Sequence, residues 1–262
     1  MGYSAADHTM PYAKYYRESI APIPEHVAAA LRKGTLAAGM LAPLHRSPDL
    51  LLEGYAETET GYALEPDGGV SVSVLTQMPG VEPFMWDWWF GWHGSHANRY
   101  KLWHPKAHRD AVWEDGREDL VAYVGRVSLI EEYIGKKMAK AQIRFVAPEE
   151  LGFDPLQLSD PKKTVIICAR LGYSHLPVDI GWLVHQVRAV EGGSEMRSRF
   201  WMGGHHLQLR THGRLSNLIS KLLQKNVRLR EHQATDLLVH CAEEMNHLSA
   251  ILPELYTEFH HQ

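Results

Sequence analysis

Cysteine is scarce in this chain of 262 residues: there are two, Cys168 and Cys241. Both stand in apolar contexts and read as reduced core residues, which excludes a disulfide framework. No run approaches the unbroken apolar length of a membrane span. The N-terminus mixes polar and charged residues without an apolar signal core, so no secretory signal is expected. Basic tracts are missing, and the formal net charge is −4. That leaves no electrostatic footprint for nucleic acid. Together these absences predict a soluble, cytoplasmic protein with neither nucleic-acid nor membrane partners.

Two residue types are plentiful instead: 17 histidines and 8 tryptophans. Histidine wealth suits metal chemistry or acid–base work. Tryptophan wealth suits an aromatic-lined cavity or a large core. With 45% hydrophobic and 22% charged residues, the chain is globular and long enough for one large domain with an appendage.

Residues 1–65 read as a small N-terminal helical region. Pro22 and Pro24 break the chain, and Glu25 to Lys33 form a helix ended by Gly34. The apolar stretch that follows either docks on a partner or folds back on its own domain. Residues 66–262 form the second unit. In "GVSVSVLTQM", Val70, Val72 and Val74 alternate as in a strand. The aromatic "EPFMWDWWFGWH" favours short helices. Five segments rich in β-branched and aromatic residues then read as consecutive antiparallel strands, and helical periodicity takes over from about Gly213. This order predicts an α+β layout in which a curved sheet wraps a long C-terminal helix, with a cavity between them.

That last helix carries the strongest local signal. In "HCAEEMNH", His240, Glu244 and His247 fall at i, i+4 and i+7, on the face that also carries Leu237, Leu248 and Ile251. Burying imidazole beside carboxylate requires compensation, by a metal ion or by a His–Glu hydrogen bond on a half-exposed helix. A metal site needs further donors. His104 and His108 share the spacing of a zinc-protease helix, but Pro105 stands where that motif has glutamate, so at most one is expected as a ligand. In "VSLIEEYIG", strand alternation sends one of Glu131 and Glu132 inward. Glu244 and His247 also match half of the Glu-x-x-His motif of di-iron bundles, but only one copy is present.

Five segments in order, "WDWWFGWH", "RYKLWHPKAH", "EEYIG", "RSRFWMGG" and "HCAEEMNHL", resemble the diacetylphloroglucinol/phloretin hydrolases and span Trp86 to Leu248. The resemblance implies a Bet v 1-like helix-grip domain behind an N-terminal region that helps form a homodimer. It implies hydrolysis of the bond between an acyl group and a polyhydroxylated aromatic ring, so the partner is a small acylated phenol. It also implies one Zn2+ held by His108, Glu132, His240 and Glu244, with Glu132 preferred over Glu131 for its place before "YIG". Tyr100 and His185 match polar residues around the substrate ring. His104 and His247 then support the ligands. Phe200 falls close to a tyrosine of the family pattern, which removes a phenol contact here. Trp86, Trp88, Trp89 and Trp92 are available to stack on a flat phenol; Trp89, Phe200, His104 and Tyr100 are expected to bind substrate.

The chemistry sets requirements. An aryl carbanion is a very poor leaving group, whereas protonating the ring carbon of a polyphenol makes the departing charge an enolate. Two glutamates weaken the acidification that zinc gives its water, so a general acid or base is needed, and His185 is the candidate. Two other readings compete: a non-catalytic helix-grip binding protein, and an Fe or Mn oxygenase using the same donors.

Overall fold

The computed structural model describes residues 2–118 and 122–261. In chain order its elements are α1 (Glu25–Lys33), β1 (Gly61–Leu64), β2 (Val70–Pro79), α2 (Pro83–Trp92), α3 (Ala97–Trp103), β3 (His108–Trp113) and β4 (Val127–Ile134). They continue with β5 (Lys137–Val146), β6 (Thr164–Tyr173), β7 (Val178–Val190), β8 (Gly193–Met202), β9 (Gln208–Leu209), α4 (Arg214–Asn226), α5 (Glu231–Ser249) and α6 (Leu252–Phe259).

The sheet runs β1-β2-β8-β7-β6-β5-β4-β3, with β9 added to β7, and its pairs are antiparallel. Helix α5 packs on β2 and also on β4, strands that are far apart in this order. A single helix can touch both only if the sheet curls around it. This is the expected α+β helix grip: strand, two short helices, a meander, then the gripped helix. The Trp-rich segment forms α2, begun by Pro83, whose missing N–H costs nothing in a first turn.

Three local departures have physical causes. The valine/serine alternation of β2 does not leave a wet face, because residues 39–58 cover the outer side around Ser73, Arg197 and Trp201. The Trp201 indole donates to the Ala42 carbonyl, and Glu59 takes Arg197 and Arg199. So the N-terminal arm folds on its own chain, and Val27 of α1 is fully buried. The C-terminal helical pattern breaks at Ala250–Ile251, because Pro253 cannot continue the backbone ladder. Finally, β3 was not legible as a strand, and it places His108.

The core fills the space between sheet and α5. Val70, Val72 and Val74 share one buried cluster there with Leu238, Met245 and Leu248, and Trp86 and Trp89 of α2 belong to it too.

Candidate metal centre and cavity

Strand register builds one half of the site. His108 opens β3 and pairs with Glu132 of β4, and a bulge follows between His108 and Asp110. Along β4, Ser128, Ile130 and Glu132 share the inward face. Glu131 points out and pairs with Lys140 at 2.6 Å. Alternation thus turns Glu132, not Glu131, toward the cluster. Helix α5 supplies the other half, with His240 and Glu244 one turn apart and both buried.

These four side chains converge. His108 Nε2 lies 3.4 Å from Glu132 Oε2 and 3.3 Å from Glu244 Oε2. His240 Nε2 lies 3.4 Å from Glu132 Oε2 and 3.7 Å from Glu244 Oε2. The donor atoms of His108, Glu132 and His240 all fall within 4.8 Å of one another. His108 Nδ1 is 3.0 Å from the Tyr100 carbonyl, which can only accept. Nδ1 therefore carries the proton and Nε2 a lone pair. That lone pair is buried, without a hydrogen-bond partner, and faces two carboxylates. Acceptors gathered this way repel unless protons or a cation sit among them, and a donor set of this kind fits a metal ion that displaces those protons. Two imidazoles and two carboxylates suit zinc, and also Fe(II) or Mn(II).

The titration pattern reflects the crowding. Burial, with the neighbouring His240 and His104, holds His108 well below the usual imidazole range. Burial works against charge on His240 too, but Glu132 and Glu244 outweigh it and lift that group to about 9. Burial pushes Glu244 up to about 8 against the pull of His240. Burial also opposes charge on Glu132, yet His240 and the Tyr100 hydroxyl keep it below the ordinary carboxylate value.

Tyr100 braces this cluster. Its hydroxyl donates to Glu132 Oε2 at 2.5 Å, and its ring stacks on His108 with centroids 3.8 Å apart. His104 stands behind the cluster. Its Nδ1 accepts from the Ala107 N–H, so Nε2–H donates to Glu243 Oε2 at 3.2 Å. Its ring lies flat against His240, with centroids 5.2 Å apart. His247 is buried but outside the cluster, and burial lowers it to about 4.

A cavity of about 90 Å³ opens from the cluster into the core between sheet and helix. Tyr100, His185 and Phe200 line it, as do Phe90, His93 and Ser128. His185 Nδ1 is 2.8 Å from Ser198 Oγ, and burial lowers the imidazole to about 3, so it is neutral. A second hollow, of about 400 Å³, lies on the outer side of His240, bounded by Ile20 to Pro22, His104 and Glu243.

Two residues expected against substrate do not line the inner cavity. Trp89 does not line the inner cavity; it is fully buried in the aromatic core and stacked on His93. His104 faces the outer hollow, because Glu243 turns it that way. Phe90, one residue on, supplies the aromatic wall assigned to Trp89. His93 and Ser128 were not anticipated. A lone histidine ending a tryptophan run and a lone serine in a strand carry no spacing signal, although the inward parity of Glu132 also fixes that of Ser128.

The DAPG hydrolase PhiG domain family matches residues 41–257. A 2,4-diacetylphloroglucinol hydrolase from Pseudomonas sp is 30% identical over 269 residues, covering 97% of this chain and 90% of that protein. The phloretin hydrolase of Eubacterium ramulus is 28% identical over 272 residues, covering 98% and 93%. Among solved structures, Ara h 8.0201 aligns over 71% of this chain and 99% of its own, with 12% identity and a TM-score of 0.42. Norcoclaurine synthase from Thalictrum flavum aligns over 73% and 90%, with 12% identity and a TM-score of 0.36.

Proposed function

This chain belongs to the DAPG hydrolase PhiG domain family, and from that premise we propose that it is a zinc-dependent hydrolase. It cleaves the carbon–carbon bond between an acyl group and a polyhydroxylated aromatic ring, as in phloretin or 2,4-diacetylphloroglucinol. The observation that carries the reading is the buried His108 lone pair set against Glu132 and Glu244, two carboxylates that also line an aromatic-walled cavity.

His108, Glu132, His240 and Glu244 would hold the zinc. Bound there, it supplies Lewis acidity, polarising a carbonyl and lowering the pKa of water. The remaining work belongs to the side chains. Tyr100 donates its one hydroxyl hydrogen to Glu132 and so orients it, and its oxygen is left to accept from a hydroxyl of the acylated ring. His185, kept neutral by burial, takes a proton from a ring hydroxyl and returns it to the ring carbon that leaves. That exchange is a tautomerisation and needs no standing acid. Phe90 and Phe200 exclude water from the ring and offer it apolar faces. Water adds across the ring–acyl bond: its oxygen joins the acyl carbon, the ring departs as an enolate, and the water's other proton goes to the enolate oxygen, giving the free phenol and a carboxylic acid.

The homodimer and the cytoplasmic setting belong to the same reading. Unpaired, buried Cys168 and Cys241 support a reducing compartment. The exposed Leu215, Leu218 and Leu222 of α4 support a further contact surface.

Anaerobic incubation with phloretin and, separately, with 2,4-diacetylphloroglucinol tests the activity. Liquid chromatography–mass spectrometry should find phloroglucinol or monoacetylphloroglucinol with the matching acid. Absence of both pairs of products at high enzyme concentration would contradict the proposal.

A further inference from the structure

Ser128 sits on the inward face of β4, four residues from Glu132, and lines the inner cavity. It is 1% exposed, and its Oγ has no hydrogen-bond partner. An unpaired buried hydroxyl is costly, whereas an alanine of nearly the same shape is not. The lining of this cavity includes the apolar Ile130, Ile143, Phe145 and Phe200 as well as the imidazole of His185. Phe200 is 5% exposed and offers no polar atom. A hydroxyl kept unpaired in such a wall is placed for a polar group that arrives from outside.

We propose that Ser128 is a specificity-determining residue whose hydroxyl binds a phenolic hydroxyl of the substrate at the end of the cavity remote from the carboxylate cluster. The inference rests on the proposed acylphenol hydrolysis and adds to it the group that reads the far end of the ligand. Strand geometry sets the scale. Four residues of extended chain separate Ser128 from Glu132 by roughly 13 Å. A ligand whose carbonyl approaches the cluster must therefore carry its second polar group several bonds away. Two sources provide one: the para-hydroxyl of the polyhydroxylated ring, and the phenol ending a hydroxyphenylpropionyl arm. An acetyl arm has none.

The two cleavage products separate these sources, and neither can be turned over. Binding of phloroglucinol and of para-hydroxyphenylpropionic acid is measured by calorimetry to the metal-loaded wild type, Ser128→Ala and Ser128→Thr. Ser128→Ala should weaken one of the two by about tenfold, the worth of one hydrogen bond in a dry site. Ser128→Thr should restore most of the loss. Weaker phloroglucinol assigns the contact to the ring, and weaker phenolic acid assigns it to the arm. Ser128→Ala should also melt at the same temperature as wild type or higher, because it removes an unpaired buried hydroxyl. Unchanged affinity for both products overturns the proposal, as does a lowered melting temperature with no rescue by threonine. These readouts do not depend on turnover, so failure of the hydrolase reading would show separately, as product binding without cleavage.

Discussion

The hydroxyl of Tyr100 donates to Oε2 of Glu132 at 2.5 Å, while the carbonyl of Tyr100 receives Nδ1–H of His108. One residue thus fixes two of the four proposed metal donors from opposite ends of its own structure. Partners of this kind set the tautomer and aim of a metal ligand. Tyr100→Phe deletes the hydroxyl and leaves the backbone contact. It should keep the metal and lower kcat by about ten- to a hundredfold. Elemental analysis beside steady-state kinetics checks both; loss of the metal, or unchanged turnover, would count against the assignment.

The two histidines of "HPKAH" should behave differently. His108→Ala removes the lone pair that faces Glu132 and Glu244, and should abolish metal binding and activity together. His104→Ala removes only the contact to Glu243 and the stacked ring against His240. Its effect on kcat/KM should stay within about tenfold. Metal loss in the His104 variant would show that the wrong histidine is assigned. Glu131→Ala should be silent in the same assays, because Glu131 points away from the cluster and pairs with Lys140.

Metal binding should release protons. In the metal-free site Glu244 titrates at about 8 and His240 at about 9, both above their ordinary values. Below pH 8 both groups hold protons that a metal must displace, so affinity should fall as pH falls. Between pH 8 and 9 only the His240 proton remains, and above that neither does. Competition titration with a chelating dye should give log affinity rising with pH, with a slope near 2 around pH 7 and flattening above about pH 9. A flat profile across that range would show that these groups are not displaced by the metal.

Acid should loosen the N-terminal arm through Glu59. Burial raises that carboxyl, but Arg197 and Arg199 overcome it and hold it at about 2. Its folded value lies below its ordinary 4.5. The stabilisation is therefore complete above about pH 4.5 and lost as pH falls toward 2. Glu59→Gln leaves two buried guanidiniums without their partner and should cost about 3 kcal/mol at neutral pH. The gap in melting temperature between wild type and variant should narrow below pH 4.5. A gap that stays constant into acid would contradict the pairing.

The legible and illegible parts of the site differ in kind. His240 and Glu244 could be read together because helical spacing is a local property, set by 3.6 residues per turn. Strand parity showed that one of Glu131 and Glu132 points inward, and the resemblance, not parity, preferred Glu132. The meeting of His108 with Glu132 is different, because it depends on the β3–β4 register and a bulge, and β3 carried no strand pattern of its own. That Trp89 does not line the inner cavity was hidden for a related reason. Four tryptophans in one short helix cannot all face a cavity, and periodicity does not say which side the core takes. The alternation of β2 suggested one dry face, yet residues 39–58 cover the other, a long-range contact that no local pattern encodes.

The most direct test of the central claim is chelation and reconstitution under anaerobic conditions, followed by phloretin cleavage. The account predicts that stripped enzyme is inactive and that one equivalent of zinc per chain restores hydrolysis without oxygen. Full activity in the stripped enzyme, or recovery only with Fe(II) and oxygen, would contradict it.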